Sequence, residues 1–468
     1  MLMTLLQSKN LGLPNEKNTG GIDMEELEKR TMRKVSLRLI PFLIVCYFVA
    51  YLDRTNVGFA ALTMRQDLGI SATAYGLGAG IFFLTYFVFE VPSNLALERF
   101  GARRWIARIM VSWGILSGCM AFIGGEWSFY IVRLLLGAAE AGFFPGIIFY
   151  LTLWFPAVYR ARIVGLFMAA IPGSTVFGAP LSSALLYMDG IAGLKGWQWM
   201  FILEALPAVI LSFVVLKFLT DRPAEAQWLE PEERKWLSAT IAAEARQRVA
   251  ARHFTVRQAL TNGRVLALAF VYFGAVATNY GISFWLPQIV QDFGGLSKLQ
   301  VGLVTAMPYA VGLVGMIWWG RRSDAKLERK GHAAFALAIA CIFIALSTAF
   351  SNPALKMLCL SIAGFGVFAV LPIFWTFPTA FLSGAAAAAG IAVINSLGNL
   401  AGFIGPYAMG WIKDATGSFS GGLLFIAGCG LAAMIIVLLL PHEEHVAASA
   451  ELEHTPEYGP SGIQAPEL

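Results

Sequence analysis

Residues 51–56 read Tyr-Leu-Asp-Arg-Thr-Asn, at the far end of an apolar run that begins near Leu37. A carboxylate, Asp53, and a guanidinium, Arg54, therefore stand side by side where hydrocarbon is expected. Such groups cost roughly 2.5–3.5 kcal/mol each at the bilayer centre on insertion scales, and those that persist usually face a bundle interior or a wet cavity. A helix-end pair snorkelling to the interface is the bland alternative. A second set on another apolar run weighs against it. Arg133, Gly137 and Glu140 are spaced four and three apart, so they share one helix face. A cation, a gap for close approach and a carboxylate fit either a structural ion pair or a proton relay. The recurrence on two runs favours the relay.

The faces divide the labour. Tyr47, Tyr51 and Arg54 fall at i, i+4 and i+7 on one stripe, while Asp53 points about 100° away. Arg54 with Tyr51 suits a substrate carboxylate, because the guanidinium fork donates two parallel hydrogen bonds. Asp53 and Glu140 suit protons, with Arg133 as the partner of the carboxylates. Further on, Asn395 and Asn399 lie one turn apart, and their amides fit either substrate recognition or interhelical polar contacts. Tyr280 and Trp375 are further candidates for lining a site. Gly398, Gly402 and Gly405 read as close helix packing, and Glu90 and Glu204, placed near span ends, as structural.

The elements that must position these groups are membrane spans. Of 468 residues, 57% are hydrophobic and 13% charged, against about 25% charged in soluble domains. Twelve apolar runs approach the roughly 20 residues a bilayer requires: 37–59, 74–97, 105–123, 128–153, 163–188, 199–219, 264–290, 300–319, 333–351, 354–378, 385–412 and 420–440. The expected organisation is a polar amino-terminal segment 1–36, a six-span half 37–219, a polar connector 220–262, a second six-span half 263–440 and a disordered tail 441–468. Nothing in the first 35 residues reads as a cleavable signal peptide. Of the 34 Lys and Arg residues, 27 fall on one set of alternate connections, 5 on the other, and Arg54 and Arg133 within spans. The basic side is expected to be cytoplasmic, with both termini inside. In the connector, Glu230-Pro231-Glu232-Glu233 has the form of a helix start. Trp228, Trp236, Leu237 and Ile241 would then lie either on the membrane surface or on a plain linker helix.

The halves echo each other. Asn94-Leu95-Ala96-Leu97-Glu98-Arg99, followed by Arg103 and Arg104, is matched after the eighth run by Gly320-Arg321-Arg322-Ser323-Asp324. Glu98 and Asp324 are 226 residues apart, and that offset carries Asp53 onto Asn279 and Arg54 onto Tyr280. Repeated halves with polar groups near the midplane are a transporter pattern.

These loops, with Glu98, Arg99, Gly101 and Arg103 in the first copy and Gly320 and Asp324 in the second, resemble the signature of the major facilitator superfamily. Asn94 stands where the first copy usually has glycine. Within the superfamily the chain resembles the anion:cation symporters, in its branch of tartrate, phthalate and hydroxyphenylacetate permeases. The matching stretches are residues 51–56, Arg133 to Glu140 with Gly142 and Pro145, Gly196-Trp197-Gln198-Trp199, Asp221-Arg222-Pro223 and Asn395-Ser396-Leu397-Gly398-Asn399. The resemblance implies an all-α fold of twelve transmembrane helices in two pseudo-repeat halves. It also implies proton-coupled uptake of an organic anion by alternating access, with Arg54 on the substrate and Tyr86 lining the site. Sugar-acid members tend to carry glutamine where Ile171 stands. Phe167, Ile171 and Trp375 instead suit a compact or partly apolar acid, unless Ile171 faces lipid or a neighbouring helix.

Other classes fit less well. No Gly-x-x-x-x-Gly-Lys-Ser/Thr loop is present, which argues against direct ATP drive. The five histidines, at 253, 332, 442, 445 and 454, are expected in loops or the tail, and the five cysteines lack disulfide or zinc spacing. Neither an enzyme, a metal, a cofactor nor nucleic acid is expected. The expected partners are a small organic anion, a proton and the bilayer, with the chain a monomer. A sugar-acid or aromatic-acid symporter is the alternative within the family. A non-transporting membrane sensor is the alternative outside it, and buried charges argue against that.

Overall fold

The computed structural model describes residues 24–249, 256–381 and 384–440. The expected amino-terminal segment falls mostly, and the tail entirely, outside them. Among the described residues, twelve helical spans follow one another: Met24–Leu68, Ala72–Phe100, Ala102–Phe122, Glu126–Trp154, Ala157–Met188, Gly196–Phe218, Gly263–Gln291, Lys298–Lys326, Lys330–Ser347, Pro353–Pro378, Gly390–Thr416 and Ser420–Leu439. Several run past their apolar stretches. The first helix has 45 residues, roughly 65 Å at 1.5 Å per residue, so its polar start projects beyond a hydrocarbon layer of about 30 Å. His332 sits in the first turn of the ninth span, buried and paired with Glu328, and not in a loop.

Local chemistry sets the ends and the breaks. Ser71 caps the second span by accepting from Ala74 N at 3.0 Å, and Asn352 caps the tenth by accepting from Ala354 N at 2.9 Å. The fourth span is two helices, Glu126–Glu140 and Phe143–Trp154. The break falls at Gly142, whose φ of 86° lies in the left-handed region that glycine tolerates. A Cβ there would also meet Ser93 Oγ at 2.3 Å. Pro145, in the first turn of the second piece, lacks the N–H that a continuous helix would need.

The first and seventh spans run side by side. Arg54 bonds Tyr280, Arg65 bonds Gln288 at 2.6 Å and Gln291 bonds Leu62 O at 3.5 Å, pairs separated by 226, 223 and 229 residues. The near-constant spacing makes them parallel neighbours, and Arg54 meets the residue at its own repeat position. The halves close on each other away from the basic connections. Gly76 packs against Pro406 O, Gly410 against Ala72 O and Gly302 against Ala179 O. Thr73 N and Oγ1 both donate to Asp414 at 2.6 Å.

The connector helix Pro231–Val249 docks on the first half. Glu230 and Glu233 pair with Arg30 and Lys34 at 2.8–3.0 Å. Glu244 accepts from Arg160 at 2.5 Å and from Ala157 N at 2.9 Å. Trp228 stacks on Trp154 with centroids 5.4 Å apart, and Leu237 is fully buried. Trp228 and Leu237 therefore pack their apolar surface on the protein.

Candidate transport site

A small cavity lies between the halves. Tyr47, Tyr51, Tyr86 and Ile171 line it from the first half, and Tyr272, Asn279, Tyr280, Asn395 and Asn399 from the second. Of the expected lining residues, all but Arg54, Phe167 and Trp375 reach the wall, and Phe167 stacks behind Tyr47 at 4.5 Å. Trp375 stands one layer back, edge-on to Tyr272 at 5.0 Å. Ile171 faces the cavity rather than lipid.

Arg54 lies just behind the tyrosines and is 7% exposed. Nη1 donates to Tyr280 Oη at 2.9 Å, and Nη2 donates to the Glu140 carboxylate. The rings of Phe82 and Tyr86 lie 5.4 and 5.3 Å from its guanidinium carbon, close enough for cation–π attraction. The helix carrying Glu140 ends at that residue, so its partial negative pole also faces Arg54. Asp53 points the other way: Trp113 Nε1 donates to it at 2.7 Å and Ser117 Oγ at 3.0 Å. The two neighbours in sequence thus serve opposite sides of the first span.

Arg133 departs from expectation. Its Nε donates to Gly78 O at 3.1 Å and Nη2 to Ala79 O at 2.9 Å, with Phe82 beneath it at 4.8 Å. The expected pairing with Glu140 is replaced by backbone carbonyls of the second span. The shared face fixed the direction but not the depth: Gly137 lets the second span approach so closely that a Cβ there would meet Phe82 O at 2.1 Å. Glu140 goes to Arg54 instead.

Glu90 is neither exposed nor at a span end. Asn395 Nδ2 donates to Glu90 Oε1 at 2.6 Å across the two halves, and Oε2 has no partner among the described residues. Glu90 lies one turn beyond Tyr86, a spacing that would have placed it beside the site. Tyr272, Val276, Asn279 and Tyr280 likewise form an i, i+4, i+7, i+8 stripe, and Asn279 Nδ2 donates to Tyr51 Oη at 3.3 Å. Gly398 and Gly402 do serve close packing, against the rings of Tyr272 and Phe83.

The signature loops brace the basic face. Gly101 has φ 85°, and a Cβ there would lie 3.0 Å from Asp221 Oδ1, the oxygen that accepts from Arg103 N at 2.8 Å. In the second copy, Arg329 donates to Asp324 at 2.5 Å. Glu98 and Arg99 are exposed, and Gly320 approaches Pro372.

Twelve spans around a polar central cavity define a multi-pass membrane transporter, not an enzyme. The Major Facilitator Superfamily model matches residues 43–406, and the chain belongs to that superfamily. It is 54% identical over 420 residues to an Agrobacterium vitis protein named "Putative tartrate transporter", covering 90% of this chain and 93% of the relative. It is 42% identical to a quinolone resistance transporter of Acinetobacter baumannii, covering 89% and 96%. The fold matches a bacterial homologue of the human lysosomal transporter Spinster, inward-facing and unoccupied, with TM-score 0.67 at 15% identity over 92% of this chain and 99% of that one.

Proposed function

We propose that the chain is a proton-coupled symporter of a small organic anion, tartrate or a related mono- or dicarboxylate. It would lie in the inner membrane, with the basic face and both termini cytoplasmic. The observation that carries the reading is Arg54, held between Glu140 and Tyr280 behind the cavity wall. An ionised Glu140 occupies one side of the guanidinium. Protonation of Glu140 weakens that pair and frees the fork for a substrate carboxylate. Asp53, on the other face of the same helix, is the second proton carrier, and Arg133 holds the fourth span against the second. Asn395 and Asn399 offer amides to the far end of the cargo. The relatives named for tartrate support a short, hydroxylated acid.

Ile171 in the wall disfavours a long sugar acid, since a hydroxyl beside it would be desolvated without a partner, at about 1–3 kcal/mol. The tyrosine-rich wall favours, as a second reading, an aromatic carboxylate. Purified protein in liposomes, driven only by an inward proton gradient, should accumulate tartrate or hydroxyphenylacetate. Asp53→Asn and Glu140→Gln should abolish accumulation while leaving downhill exchange. Full accumulation by either variant removes that residue from the mechanism. An aldonate preferred tenfold over both acids overturns the reading of Ile171.

A further inference from the structure

A second group of buried carboxyls lies beside Asp53, on the side away from the cavity. Glu204, on the sixth span, is 2% exposed, as is Asp53. Ser182 Oγ, from the fifth span, donates to Glu204 Oε1 at 2.6 Å, while Oε2 has no hydrogen-bond partner among the described residues. Asn56, 1% exposed, stands between the two acids. Its Nδ2 lies 3.5 Å from Asp53 Oδ1, and its side chain also interacts with Glu204. Among the described residues no lysine or arginine forms an ion pair with either acid. The other charges facing Asp53 from the packed spans are Glu140 and its partner Arg54.

Two ionised carboxylates side by side in a buried site, with no cation paired to either among the described residues, repel each other and lose solvation, so a single negative charge is the favoured state of the pair. An asparagine between them matches that state. An amide has an N–H that suits an ionised acid and a carbonyl able to accept from a protonated one. The position has a direction. Glu204 lies eight residues into its span from Gly196, roughly 12 Å along the axis. Near that end Trp197 donates to Asp67 at 2.9 Å, and Lys195 approaches Asp67 at 3.6 Å. Asp67 is 14 residues beyond Asp53 on the first helix, about 21 Å away. Glu204 therefore lies between Asp53 and the face opposite the basic connectors.

We propose that Asp53, Asn56 and Glu204 share one proton, and that Glu204 is the outer member through which Asp53 is charged. The claim rests on the proton-coupled reading above and adds a residue to it. The proton leaves one carboxyl as its O–H bond breaks and is bound by the other as a new O–H bond forms. Asn56 does not carry it; its amide turns its N–H toward whichever acid is left ionised.

The test uses the full-length protein in liposomes, with tartrate as the probe. Glu204→Gln removes the like charge beside Asp53, so Asp53 ionises more readily. The pH of half-maximal gradient-driven uptake should move down by at least one unit, a tenfold rise in the proton concentration required. Glu204→Asp should restore it. Infrared titration should show a protonated-carboxyl band altered by Glu204→Gln and Asp53→Asn alike. An unchanged pH dependence together with an unchanged band overturns the proposal. If Glu204→Gln does not fold, Ser182→Ala, which removes the hydroxyl donor to Glu204, should shift the same band, and an unmoved band again overturns it. Absence of gradient-driven uptake in the unaltered protein would sink the symport reading instead, while the infrared titration would still decide whether the proton is shared.

Discussion

Replacing Gly76 by alanine should tilt the balance between the two access states. A Cβ at Gly76 would lie 2.4 Å from Pro406 O and 3.2 Å from Tyr407 Cα, both backbone atoms that cannot rotate aside. Ordinary contact begins near 3.4 Å, so the second and eleventh spans must part by about 1 Å at this level. Forcing an extra methyl into a packed contact costs about 1–3 kcal/mol. Only the state closed on this face bears that cost, so the opposite state should gain about 5- to 150-fold in relative population. The reading is by cysteine labelling. In a cysteine-free background, Val276→Cys in the cavity wall should react with an impermeant maleimide from the face opposite the basic connectors. Its rate should rise by that factor. Gly410→Ala, which meets Ala72 O at 2.3 Å, should act alike, and Gly165→Ala, with nothing within 4 Å, should do nothing. A properly folded Gly76→Ala protein with an unchanged labelling rate would falsify the assignment of this contact as the closed gate.

Arg54→Lys cannot reach Tyr280 and Glu140 together. It forfeits at least one charge-assisted bond, about 1.5–3 kcal/mol, so anion affinity by titration calorimetry should fall roughly 10- to 150-fold. Asn395→Leu leaves Glu90 buried without its amide donor. It should lower thermal stability by about 1–3 kcal/mol, and adding Glu90→Leu should recover much of that; no recovery would show that Asn395 matters for other reasons. At the connector, Lys34, hydrogen-bonded to Glu230, holds that carboxyl below its ordinary range. Its contribution to docking is therefore complete above the unperturbed value of about 4.3 and is lost only as pH falls through the lowered one. Hydrogen-exchange protection of residues 231–249 should be equal at pH 7 and pH 5 and should weaken only in stronger acid.

The twelve spans and the division between Asp53 and Arg54 were legible because the bilayer and the helical period each impose a simple rule. The offset of 226 residues also carried real information: it paired Arg54 with Tyr280, and those two side chains meet. Depth was harder to read. An apolar run marks less than the whole helix, so the sequence alone sets Glu90 and Glu204 near span ends. The second helix continues to Phe100, ten residues past Glu90, or roughly 15 Å, which puts that carboxylate well inside. The partner of Arg133 depended on how closely Gly137 admits the second span, a distance that periodicity alone does not contain. The break after Glu140 did have a local signature in Gly142 and Pro145, whose spacing marks an end and a restart within one apolar run.

The connector helix Pro231–Val249 is clamped to the first half through its ion pairs, which makes it a natural reporter. A dye or antibody fragment attached at Glu232 would ride with the first six spans as a rigid marker, and its distance to a label near Leu327 would follow the rocking of one half against the other. The same fastening defines where the polypeptide tolerates a cut. Cleavage after Val249 would leave every connector ion pair described above with the amino-terminal fragment. Two co-expressed fragments divided there should reassemble into a working carrier, whereas a cut before Glu230 would strip the first half of its clamp.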